Sequence, residues 1–176
     1  MQELVERALA FGFSHAALLD AETLTLREEV RDMCAADKCR SYGKSWMCPP
    51  ACGTLEANRE RLLRYRQGLI VQTTGQLEDD YDIETMQETG QLQQKRFHAF
   101  ADVLRAEYPG LLALSSGTCT LCEACTYPDA PCRVPDKAVP SMEAFGLWVS
   151  DVCVKNGLGY NYGPQTITYT SCYVLC

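Results

Sequence analysis

Cys119-Thr-Leu-Cys122-Glu-Ala-Cys125, closed by Cys132-Arg133-Val134-Pro135, constrains this chain more than any other stretch. Three cysteines at successive three-residue steps put their sulfurs on one tightly curled loop. The backbone N–H groups of such a loop point inward, toward whatever the thiolates hold. That is the geometry of a cubane (4Fe-4S) iron–sulfur site, in which C-x2-C-x2-C is followed by a more distant cysteine and a proline. Here the spacer to the fourth cysteine is longer and the proline sits three residues after it. Only the three-cysteine curl is stereochemically demanding, so the pattern tolerates that variation. Two other readings compete with it. Structural zinc usually takes two separated C-x2-C hooks, and disulfides do not readily join cysteines that must converge on one centre.

A second constellation precedes it, Cys34-x4-Cys39-x8-Cys48-Pro-Pro-Ala-Cys52. Asp37, Gly43, Pro49, Pro50 and Gly53 break regular structure through most of this segment, so four thiols are presented from a stiff, irregular loop. A loop already held in place loses less entropy on ligation. Its spacing suits a second iron–sulfur site, with zinc or a purely structural or redox role as alternatives, and both constellations contributing to one larger cluster as another.

The eleven cysteines also bear on compartment. Their odd number and the chain length of 176 fit a small disulfide scaffold poorly. The opening residues carry two acids and no basic segment before an apolar core, and no apolar run is long enough for a bilayer. A reducing cytoplasm, with cysteines as metal ligands, is the expectation. The formal charge of -7 argues against nucleic acid or an anionic membrane as partner.

Apolar periodicity predicts a helix over 2–13 ended by Gly12, a strand at 16–19, and a helix over 23–33 that delivers the chain to Cys34. A basic helix follows from Thr54 or Leu55 to Arg66, whose Arg59, Arg61, Arg64 and Arg66 either offset cluster charge or form a solvated face. Gly68 to Thr74 reads as the clearest strand. An acidic loop over 78–84 caps a long helix from about Thr85 to Tyr108, which Gly90 bends or divides. Leu111 to Ser116 is the next strand, opening directly into the Cys119 loop. Ser141 starts a single apolar helix that carries Cys153, and a strand runs from about Thr166 with alternating sides. Buried small hydrophobes are the reading for Cys153 and Cys172, against a third site or a redox thiol; Cys176 ends the strand. His15 and His98 are the only histidines, too few for a histidine-rich metal site or a serine–histidine triad. The architecture expected is α/β, a single domain over 1–176 with a mixed sheet flanked by helices. Two cysteine-rich metal-binding loops, at 34–53 and 117–135, gather at one edge.

The runs Val30 to Gly53, Gly117 to Pro135 and Pro140 to Gly146 resemble a family of cysteine-rich predicted metal-binding proteins of unknown function, found largely in anaerobic microbes. The resemblance covers almost the whole chain. It implies metal or iron–sulfur ligation by Cys39, Cys48, Cys119, Cys122, Cys125 and Cys132, and with less of the motif behind them Cys34 and Cys52. It names no reaction. Three functions are compatible. One is electron transfer by one or two 4Fe-4S clusters, including reductive activation of a redox partner or corrinoid protein. Another is an enzyme whose open iron acts as a Lewis acid, lined by Arg40, Tyr42, Lys44 and Trp46. The third is a non-redox zinc or iron module.

Overall fold

The computed structural model describes residues 1–176. Alternation in the C-terminal segment builds its centre: in β4 (Thr166–Leu175), Tyr173 and Leu175 face one way and Cys172 and Val174 the other, and all four are fully buried. A strand buried on both faces must lie inside a sheet covered on both sides. It does, between β2 (Gln67–Gln76) and the short β3 (Leu112–Leu114), with β1 (His15–Asp20) outside β2, in the order β1-β2-β4-β3.

The chain is therefore α/β and a single domain, as expected, and the strands fall near 16, 68, 111 and 166. The sheet is not mixed. Every neighbouring pair is antiparallel. The reason is topological: β2 and β3, joined through a helix, run parallel to each other, but β4 inserts between them and pairs with both. Pairs that chain order alone would make parallel neighbours are thus separated by a strand of opposite direction.

One face carries α1 (Gln2–Phe11) and α4 (Ile83–Glu107), which bury Leu4, Val5, Ala8, Phe97, Phe100 and Leu104 against Leu69, Val71 and Tyr173. The Tyr173 ring stacks on Phe97 with centroids 5.0 Å apart, and its hydroxyl donates to the Phe97 carbonyl at 2.9 Å. Gln93, fully buried, accepts from Thr73 at 2.6 Å and donates to Ser171 at 3.0 Å, which fixes α4 in register on the sheet. Asp82 caps α4 through the Thr85 N–H, as the acidic loop predicted. Gly90 does not divide this 25-residue helix. It makes room for the Tyr169 ring, which would stand 3.2 Å from a Cβ there.

The opposite face is covered by α5 (Met142–Phe145), α6 (Val149–Lys155) and the start of α3 (Leu55–Leu62), around Ile70, Leu112, Leu114, Cys172 and Val174. Two expected helices are corrected here. The single helix from Ser141 is two short ones, because Gly146 sits at φ 109° and turns the chain out of the helix. The helix predicted over 23–33 begins only at Glu28, as α2 (Glu28–Ala35). Before it lie a 3-10 turn at Ala21–Thr23 and an extended stretch in which Leu24 and Leu26 are both buried and Leu26 bridges to Leu147. Burial at i and i+2 is strand periodicity, and the pair sustains no helical stripe.

Candidate metal centre

Ser115 anchors the first cysteine loop where β3 ends. Its N–H donates to the Pro140 carbonyl and its carbonyl accepts from Met142 N–H, both at 2.9 Å, so the loop and α5 are tied at one point. Gly117, at φ 68°, then turns the chain away from the sheet. The spacer between Cys125 and Cys132 closes on itself: Thr126 receives the Ala130 N–H at 3.0 Å, its hydroxyl donates to Pro131, and Arg133 donates to the Ala124 carbonyl. That closure is what lets a long spacer return Cys132 to the others. Cys119, Cys122, Cys125 and Cys132 line one small cavity together, joined by Ser45, Trp46 and Met47 from the second loop.

The electrostatics of these thiols show where donors point. Burial acts to raise Cys125, but the N–H groups of Tyr127, Trp46 and Thr126 and the Ser45 hydroxyl outweigh it and hold this thiol below its ordinary pKa. Burial raises Cys119, opposed by the Leu121 N–H and reinforced by repulsion from Cys132, Cys122 and Cys125. Burial and repulsion from its three neighbours thus act on Cys119 in the same direction.

The second group forms around α5. The Cys52 thiol donates to the Ala144 carbonyl at 3.3 Å, and the Cys34 sulfur lies 4.0 Å from the Glu143 carbonyl. Cys48 is buried, and burial first, then Cys52 and Cys39, pushes its thiol up to about 11. Cys34 is raised by burial and by Glu143, with Cys39 and Cys52 adding to it. Arg31 pulls in the other direction on both Cys34 and Cys52. One turn before Cys34 on α2, it donates to the Gly53 carbonyl at 2.8 Å, while its Nε is shielded from water and unpartnered.

The loops meet, as expected. Trp46 Nε1 donates to the Ala130 carbonyl at 3.0 Å, and its ring stands edge-on to Tyr127 at 4.9 Å. Met47 lines the first cavity, and Cys48 of the second group follows it at a Cα step of about 3.8 Å. Trp46 lines a cleft with Cys52 of its own group and, in addition, the cavity of the other one. Tyr42 and Lys44 fold back on their own loop through Asp37 and Arg40. Among the α3 arginines, Arg59 pairs with Glu28 and Glu56, while Arg61 lines a cleft with Cys52. The cation beside the thiols, Arg31, was missed, although its i, i+3 spacing to Cys34 on a helix was the available signal.

Cys153 and Cys172 are buried in the core, as read. Burial drives the Cys172 thiol far up, and Gln72 donates to Cys153 at 3.5 Å. Cys176 is exposed, and all eleven cysteines are free thiols.

No three histidine, cysteine or acidic side chains are drawn together as a single ion requires. This differs from the mutual influence of the thiols, and the two describe different distances. Repulsion reaches across several ångströms, whereas mononuclear zinc needs every sulfur about 2.3 Å from one point. The donor chemistry itself is uniform. Each group is four thiols without histidine, a soft set that suits zinc or iron–sulfur clusters over calcium or magnesium. The orphaned Arg31 Nε beside the second group would gain an acceptor from an anionic centre.

Fold and site together define an α/β protein with two adjoining four-thiol loops mounted at the end of an antiparallel sheet. A family model described as predicted metal-binding protein (DUF2284) matches residues 17–175, and the chain belongs to that family. No curated protein and no solved structure shows significant similarity to it. No helix is long and apolar enough to cross a membrane.

Proposed function

We propose that the protein holds two 4Fe-4S clusters, one on Cys119, Cys122, Cys125 and Cys132 and one on Cys34, Cys39, Cys48 and Cys52, and acts as an electron-transfer protein. The observation that carries this reading is that Cys119, Cys122, Cys125 and Cys132 line one small cavity together, completed by Ser45, Trp46 and Met47 of the other cysteine loop. Hydrogen bonds to cluster sulfurs are among the levers that set reduction potential. A bound cubane supplies reversible one-electron chemistry.

The chain's own residues do the rest. Ser45, Trp46 and Met47 line the first site and make it depend on the second loop. Arg31 offsets negative charge at Cys34 and Cys52, which favours the more reduced, more anionic state of that site. Cys39 and Cys125 are exposed, so each site has a sulfur at the surface where a redox partner can approach. Single replacement of each cysteine by serine, followed by EPR of the dithionite-reduced protein, tests the assignment. Variants at 119, 122, 125 and 132 should alter one signal and those at 34, 39, 48 and 52 the other, while Cys153→Ser leaves both. Identical spectra from all nine variants would contradict the ligand sets.

A further inference from the structure

A second cavity borders the Cys119 loop. An open cleft of about 710 Å³ separates that loop from α4, within the size range of pockets for small organic ligands. Gln94, Lys95 and His98 come from α4, and Thr118 and Thr120 from the loop, in positions alternating with Cys119. The chain has 23 acidic residues and a charge of -7, yet no Asp or Glu lines this cleft. Lys95 makes no ion pair, whereas Lys137 is matched to Asp102 at 2.9 Å.

The cleft also holds unspent hydrogen-bonding groups. Four buried side-chain polar atoms in the protein have no partner, and two of them, Gln94 Oε1 and His98 Nδ1, belong to residues lining it. Buried polar atoms are ordinarily satisfied, and an exception calls for a missing partner. His98 is held neutral near pH 7, because burial lowers its pKa and Arg105 adds to that.

We propose that this cleft binds a small organic carboxylate carrying a hydroxyl group. The carboxylate meets Lys95 and the Thr118 and Thr120 hydroxyls, and the hydroxyl donates to Gln94 Oε1, an acceptor left without a donor. Because Thr118 and Thr120 flank Cys119, such a ligand sits against the thiol loop. None of the binding groups is a thiol, so the site stands whether or not the cysteines hold clusters.

Isothermal titration calorimetry of the whole chain, purified anaerobically, tests it with malate as probe. Malate should bind, succinate should bind several-fold more weakly for want of the hydroxyl, and the uncharged malamide should give no saturable heat. Lys95→Gln, at an exposed position that leaves the fold intact, should weaken malate roughly tenfold. The proposal is overturned if malate does not bind, if malamide binds as tightly, or if Lys95→Gln leaves the affinity unchanged. Equal affinities for malate and succinate would overturn the hydroxyl assignment.

Discussion

Arg31 shows how one side chain can hold a loop and set its electrostatics together. Its guanidinium ties Gly53, at the end of the second cysteine loop, while acting on Cys34 and Cys52. Replacement by methionine keeps the aliphatic stem and removes the charge and the donor. The Gly53 carbonyl loses its partner, at a cost of about 1–3 kcal/mol in unfolding free energy. Cys34 and Cys52 should alkylate more slowly in metal-stripped protein, because nothing else lowers Cys34 and the cation leads what lowers Cys52. Unchanged urea midpoint and alkylation rate would refute this role. Cys172 offers a pH test. Burial raises its thiol above the unfolded value of about 8.5, so the unfolded chain releases that proton first. The stability it contributes is complete below about pH 8.5 and is lost as pH rises toward the folded value. Cys172→Ala should flatten the alkaline fall in urea stability, and an identical slope would contradict it. These residues differ in how far the sequence revealed them. The buried role of Cys172 followed from strand alternation, whereas Arg31 looked like any other charge until α2 placed it beside the thiols.

At the scale of elements, α5 is the common support of both loops. Ser115 fixes its start to the end of β3, and its carbonyls receive Cys52 and approach Cys34. Ser141 caps it through the Ala144 N–H at 3.0 Å, and Gly146 ends it. A Cβ at Gly146 would adopt a positive φ and run into Leu55. Gly146→Ala should therefore cost about 1–3 kcal/mol, read from denaturant midpoints, and loosen the Cys52 thiol toward alkylating reagents. A midpoint equal to the parent's would remove α5 from this role. The break at Gly146 was missed because the surrounding residues are apolar nearly all round, and such a run hides a single turn. Leu24 and Leu26 misled in the opposite sense, since their apolar content resembled a helix while their two-residue spacing belonged to an extended strap. The long strand β4 and helix α4 were legible because each carries many turns or alternations of one period.

For the whole molecule, composition and the strand-forming stretches specified an α/β chain, but strand order was beyond them. The insertion of β4 between β2 and β3 depends on pairing partners distant in sequence, and it converts the expected mixed sheet into an antiparallel one. That same order leaves β3 at the edge, where its C-terminal end is free to open into the Cys119 loop. The contact between the two cysteine loops through Trp46 is a tertiary fact that spacing alone does not give. Everything functional here depends on what the two thiol groups hold. Iron, acid-labile sulfide and zinc should be quantified in protein purified without oxygen. The account predicts a brown protein with about eight iron and eight sulfide per chain, four of each at both sites. A colourless protein with zinc and no sulfide would contradict it.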